Sequence, residues 1–167
     1  MHRVERLIHL IIFLARLGAG LAFGLLMASV LIQVVGRLTG NAPVWTEELT
    51  RFALLYLIAF GSGLAFRSGD LVNVDVICES LPGRLPSFLR LLSAIATAGL
   101  ALTLLAPAWR YVSIGRMQTS PAVGLRMDFV HFSVWLMLAG LALFGVLRIL
   151  GMLSGAEDGT LQKSEEE

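Results

Sequence analysis

The sequence predicts an all-α integral membrane protein with four transmembrane helices and a short interfacial helix between the second and third. Three observations predict it. Apolar residues make up 56% of the 167 positions, and the mean hydropathy is +0.79. Charged residues make up only 15%, where a soluble domain carries about a quarter. The apolar residues fall into four runs, divided by polar stretches that hold glycine and proline. The length suits one compact bundle, a single membrane domain over 1–167.

The first span covers about residues 7–35. It is too long for the 7–15-residue apolar core of a signal peptide, so it reads as a retained helix. A run of this length tilts or projects past the bilayer. Arg16 lies about two turns in, and either snorkels to the headgroups or pairs with a carboxylate on a partner. Gly20, Gly24 and Ala28 recur every four residues. Such a stripe lets another helix approach closely, although glycine is abundant in membrane helices for other reasons too. Gly40-Asn41 and Pro43 punctuate the loop that follows.

The second span covers about residues 45–66 and opens on Trp45-Thr-Glu-Glu-Leu-Thr-Arg51. The apolar run after it, Phe52 to Phe66, is shorter than the roughly 20 residues a span needs. The charged turn therefore belongs to the spanning helix. Charges held there are costly unless paired or facing protein, which marks an assembly or functional site. The plainer account is a favourable helix start. Glu47 and Glu48 suit the positive end of the helix, and Arg51 is spaced to pair with either. Glu47, Arg51, Leu54, Ile58, Gly61 and Ala65 fall on one face, which reads as protein-facing.

Arg67-Ser-Gly-Asp70 ends this helix. Residues 70–81 mix Asn73, Asp75 and Glu79 with valines, too short and too polar to span, and read as a helix lying at the interface. The third span covers about 86–109, slimmed by Ala94, Ala96, Ala98 and Ala101, with Pro107 as a kink site. The stretch to Met127 is too long for a simple turn, so the third helix continues past the membrane surface. The fourth span covers about 129–150. The tail at 155–167 is acidic and glycine-bearing and reads as disordered.

Four spans put both termini on one side. Eight basic residues (Arg3, Arg6, Arg16, Arg67, Arg84, Arg90, Arg148, Lys163) fall at that side, and five (Arg37, Arg51, Arg110, Arg116, Arg126) at the other. The bias predicts cytoplasmic termini.

The net charge of +1 gives no basic patch for a nucleic-acid partner. Cys78 stands alone, so no internal disulfide is possible and no Cys-based metal motif is present. No cofactor motif and no catalytic motif occurs, so an enzyme is not expected. His9 and His131 begin the first and fourth spans, a bilayer apart, which opposes joint ligation of one haem iron. The middles of the later spans offer only Ser62, Thr97 and Ser133. A carrier keeps polar groups near the midplane, so this chain reads as an auxiliary or scaffold subunit.

Its motifs resemble the small membrane subunit of tripartite ATP-independent periplasmic (TRAP) transporters, the DctQ type. The likeness covers nearly the whole chain. It rests on Gln33-Val-Val-Gly-Arg37, on Trp45 to Arg51, on Gly69 to Asp75 ahead of Leu81-Pro82, and on Gln118-Thr-Ser-Pro-Ala122. Leu71 stands where family members often carry histidine, and the fourth span lacks a proline many of them have. The resemblance implies no cofactor. It implies three partners: a large elevator-type membrane subunit, a periplasmic substrate-binding protein and the lipid bilayer. It implies uptake of carboxylates such as dicarboxylates or sialic and sugar acids, driven by an ion gradient across a bacterial inner membrane. Trp45, Glu47, Glu48, Arg51, Gly61, Gly20 and Gly24 would then fix the fold or meet the large subunit. Arg37, Arg116 and Arg126 would be candidates to touch the binding protein. The competing readings are a stand-alone four-helix carrier using Glu47 or Glu48, and a membrane anchor for a redox enzyme.

Overall fold

The computed structural model describes residues 2–41, 43–68 and 85–153. They form four α-helices: α1 (His2–Leu38), α2 (Trp45–Ser68), α3 (Leu85–Gly115) and α4 (Met127–Leu153). All four are long and apolar enough to cross a membrane, over Ile8–Leu38, Trp45–Arg67, Ser87–Gly115 and Met127–Met152. The interfacial helix expected at 70–81 and the tail at 155–167 lie outside the described residues. The third helix, expected over about 86–109, runs on through Pro107 and ends at Gly115.

Among the described helices, α1 packs on α2 alone, α2 on α1 and α4, and α4 on α2 and α3. The spatial order is therefore α1–α2–α4–α3. This is an open row, not the closed bundle that length alone suggests. Successive helices in the chain run antiparallel, so α1 ends, α2 begins, α3 ends and α4 begins at one end of the row.

The seams are lined by small residues. On α1, Ala22, Ser29 and Gly36 are buried at seven-residue intervals. On α3, the buried positions are Ala94, Ala98, Ala101, Ala108, Val112 and Gly115, spaced by four, three and seven. Such spacing keeps one stripe turned toward a neighbour along a long helix. In lipid no hydrophobic drive joins helices, so close approach and dispersion must hold them. A Cβ on Gly145 would lie 2.9 Å from that of Ala98, and one on Gly63 would lie 3.2 Å from the Phe144 ring. The buried hydroxyls of Ser29 and Ser133 cost little, because each bonds its own helix. Ser29 donates to Leu25 O at 2.8 Å and Ser133 to Val130 O at 2.6 Å.

The glycines singled out by sequence spacing sit elsewhere. A Cβ on Gly20, Gly24 or Gly61 would meet no atom within 4 Å. Gly20 and Gly24 flank Ala22 at two residues on either side, about 200° around the helix from the α2 seam. Gly20→Ala and Gly24→Ala are therefore expected to leave the isolated chain as stable as before, or to raise stability by roughly 0.5–1 kcal/mol through helix propensity. Thermal unfolding in detergent checks this; a clear loss at either position would reveal a contact there.

Candidate functional site

The motif residues converge where α1 ends, α2 begins and the segment between α3 and α4 folds back. The start of α2 is locked from below by Thr46. Its side chain is fully buried, and its hydroxyl donates to Pro43 O at 2.6 Å. Thr50 then donates to Thr46 O at 2.8 Å. With Thr46 turned inward, the next two residues project to different sides of the helix.

Glu47 reaches α1. Its Oε1 accepts from Arg37 Nη2 at 3.1 Å and from Gln33 Nε2 at 3.3 Å. Gln33 and Arg37 are four apart, so both project from one face of the last turns of α1. The pair is exposed, with side-chain accessibilities of 64% for Arg37 and 48% for Glu47. A double-mutant cycle on Arg37 and Glu47 is expected to return a coupling below about 1 kcal/mol. A larger coupling in detergent unfolding would mean the pair is shielded from water.

Glu48 reaches the other way, to the segment before α4. Its Oε2 accepts from the Ser120 hydroxyl, from Ala122 N at 3.2 Å and from Val123 N at 3.1 Å. That segment is a compact hairpin. Thr119 and Arg126 form an antiparallel bridge, Ser120 N donates to Leu125 O at 2.8 Å, and Met127 N donates to Gln118 O at 3.0 Å. Gly124 closes the turn at φ +71, a conformation side chains resist. Pro121, between Ser120 and Ala122, has no N–H of its own, so the free donors on either side of it turn to the carboxylate.

Arg51 pairs with neither glutamate. It makes no hydrogen bond or ion pair among the described residues, and its charge acts on Glu48 from beyond ion-pair distance. Trp45 is exposed beside the turn. Arg116 and Arg126 share Asp128, with Arg126 Nη2 at 2.6 Å and Arg116 Nε at 3.9 Å from Oδ2. Asp128 is well covered, at 14% side-chain accessibility, while both arginines stay exposed. His131 is buried one turn further on. Its Nδ1 lies 3.2 Å from Tyr111 O and its ring stacks on Tyr111 at 3.9 Å.

Sequence reasoning brought Glu47, Glu48, Arg37, Arg116 and Arg126 to one end of the molecule, and the structure places them there in three separate networks, around Glu47, Glu48 and Asp128. It missed Thr46, Asp128 and Gly115. Asp128 was signalled by its place two residues after Arg126 and at the start of an apolar run. Thr46 carried no signal that a solvent-facing threonine would lack.

The arrangement is a staple, built of fixed charges and hydrogen bonds at a helix end. Both carboxylates that a stand-alone carrier would need are in the first turn of α2 and already hold neighbours. Ser62 and Ser133, within their spans, donate to their own helices. His9 lies at the opposite end of the row from His131, so the two cannot share a metal within one chain. Among the described residues, no group of three or more His, Cys, Asp and Glu is placed to hold a metal ion.

A family model described as "Tripartite ATP-independent periplasmic transporters, DctQ component" matches residues 26–155, a span that contains every residue of this staple. A curated relative, the isethionate TRAP transporter permease protein DctMQ of Oleidesulfovibrio alaskensis, is 30% identical over 89 residues. Those residues are 50% of this chain and 14% of the relative, so the matched region is a small part of the relative's length.

Proposed function

Because the chain belongs to the DctQ component family of tripartite ATP-independent periplasmic transporters, we propose that it serves as a fixed scaffold for a larger, elevator-type membrane subunit. The protein is a multi-pass membrane protein and a TRAP transporter component. In this reading it sits in a bacterial inner membrane with both termini cytoplasmic. The stapled end then faces the periplasm. A periplasmic binding protein delivers an organic anion, and an ion gradient drives its uptake through the large subunit. Carboxylates such as dicarboxylates or sialic and sugar acids are the class we favour; the relative named for isethionate, a sulfonate, extends it to other organic acids.

The observation that carries this reading is the open row of helices. An isolated carrier must enclose a path, whereas this chain leaves broad apolar faces uncovered and holds its polar groups at one end. A wall is stiffened by such an end staple, because α1, α2 and the α3–α4 hairpin are tied at a common level. Gly20, Gly24 and Gly61, open on their helices, suit contact with a neighbouring subunit. Arg37, Arg116 and Arg126 present exposed guanidiniums at the periplasmic end, where an acidic surface on a binding protein would meet them.

The test is extraction of the tagged chain from its native membrane in mild detergent. Co-purification of a hydrophobic polypeptide several times larger, in fixed ratio, is expected. A lone chain or homodimer that moves a solute in liposomes would overturn the reading.

A further inference from the structure

The outward face of α2 holds a guanidinium, that of Arg51, with no hydrogen bond or ion pair among the described residues. Thr46, Ala53, Ala59 and Phe66 are buried against α1 and α4. Arg51, Leu54 and Ile58 point away from both, and Gly61 continues the same face with no atom within 4 Å of a Cβ position. Arg51 lies six residues into the span, about 9 Å along the axis from Trp45. Its neighbour on that face, Glu47, is occupied by Gln33 and Arg37; Glu48 is occupied by the hairpin. A spanning helix that faced only lipid would gain nothing from a guanidinium at this level, and charges so placed are found facing protein.

We propose that this stripe, Arg51, Leu54, Ile58 and Gly61, seats the large membrane subunit, and that Arg51 pairs there with a carboxylate of that subunit. The inference rests on the scaffold reading above and deepens it by naming the face and the chemistry of contact. The chemistry is that of a charge-complementary helix contact. Leu54 and Ile58 supply apolar area, Gly61 lets a helix come close, and Arg51 sets the register through a fork that matches a carboxylate in two bonds. The staple serves the contact indirectly. By tying Glu47 and Glu48 to α1 and the hairpin, it keeps both carboxylates from taking Arg51 for themselves.

The experiment uses the full chain with its co-purifying partner. A photo-crosslinking amino acid replaces Ile58 in one variant and Leu100, on the far edge of α3, in another. An adduct of chain plus large subunit is expected from position 58 and not from position 100. Adduct from 100 alone, or a chain-to-chain adduct from 58, overturns the proposal while the scaffold reading stands. If the unmodified chain captures no large subunit, the scaffold reading fails and takes this inference with it. Independently, Arg51→Ala is expected to lower recovery of the large subunit at least about tenfold, as follows when one side of a desolvated charge pair is removed. Arg51→Lys is expected to retain part of it. Melting of the isolated chain should be unchanged in both, which separates assembly from folding. Full recovery with Arg51→Ala would overturn the pairing of Arg51 with a carboxylate of the large subunit.

Discussion

Glu48→Gln is expected to loosen the whole stapled end. The carboxylate accepts from one hydroxyl and two backbone N–H groups, all on the hairpin between α3 and α4. All three donors meet the one oxygen Oε2, so an amide oxygen can take its place, but the three bonds then lose the acceptor's charge. Hydrogen bonds to a charged acceptor are the stronger kind, so each is weakened at once. The hairpin has little else to hold it to α2. We expect a fall in apparent Tm of roughly 3–8 °C in detergent, and amide exchange at Ala122 and Val123 faster by at least about tenfold. Glu48→Asp should not rescue, because the side chain is one methylene short. Ser120→Ala should cost less than Glu48→Gln, and the two should be non-additive, since they remove members of one network. Unchanged exchange at Ala122 and Val123 in Glu48→Gln would show that the hairpin is held by its own bonds.

The contrast between the two glutamates shows how far the sequence could be read. That Trp45 to Arg51 opens a spanning helix follows from the short apolar run behind it, and α2 starts at Trp45. That the turn does more than start a helix follows from the cost of charge at that depth. What the spacing could not supply is direction. Arg51 is correctly spaced for either glutamate, yet each glutamate has an alternative partner in a different element. Local spacing proposes i, i+4 pairs; it is silent on Gln33, Arg37 and Ser120, which arrive through the fold. The same limit applies to the glycines. Spacing by four selects Gly20 and Gly24, but the α1–α2 seam runs through Ala22 and Ser29, and a shift of two residues moves a side chain to nearly the opposite side of a helix. Helix existence was legible from hydropathy because lipid leaves few options for the backbone. Helix order was not, because every span is apolar all round, and nothing in such a pattern says which flank meets which neighbour. The row α1–α2–α4–α3 is decided by where alanine and glycine permit contact.

Gly115→Ala is expected to be the most damaging single-methyl change in the described chain. Gly115 is the last residue of α3, and α4 folds directly over it. A Cβ there would lie 2.6 Å from His131 Nδ1, 2.7 Å from Asp128 N and 2.8 Å from Asp128 Cα. At Gly18 the obstruction is the far edge of the Phe60 ring, which can swing aside. At Gly115 two of the three obstructing atoms are backbone, so the start of α4 must move as a unit. That movement pulls His131 from Tyr111 O, and it shifts Asp128 away from Arg116 and Arg126. Alanine gains a little as a helix former, by less than about 1 kcal/mol. Overpacking against fixed backbone costs about 1–3 kcal/mol, so a net loss of about 1–2 kcal/mol is expected, read as a Tm lower by roughly 2–8 °C. A second variant identifies the obstruction. Adding His131→Ala removes the ring but leaves the Asp128 backbone in place, so the double variant should recover no stability beyond that of His131→Ala alone paired with a residual penalty at Gly115. Complete relief of the Gly115→Ala penalty in the His131→Ala background would assign the clash to the ring, and α4 would then be free to begin where it does with any small residue at 115.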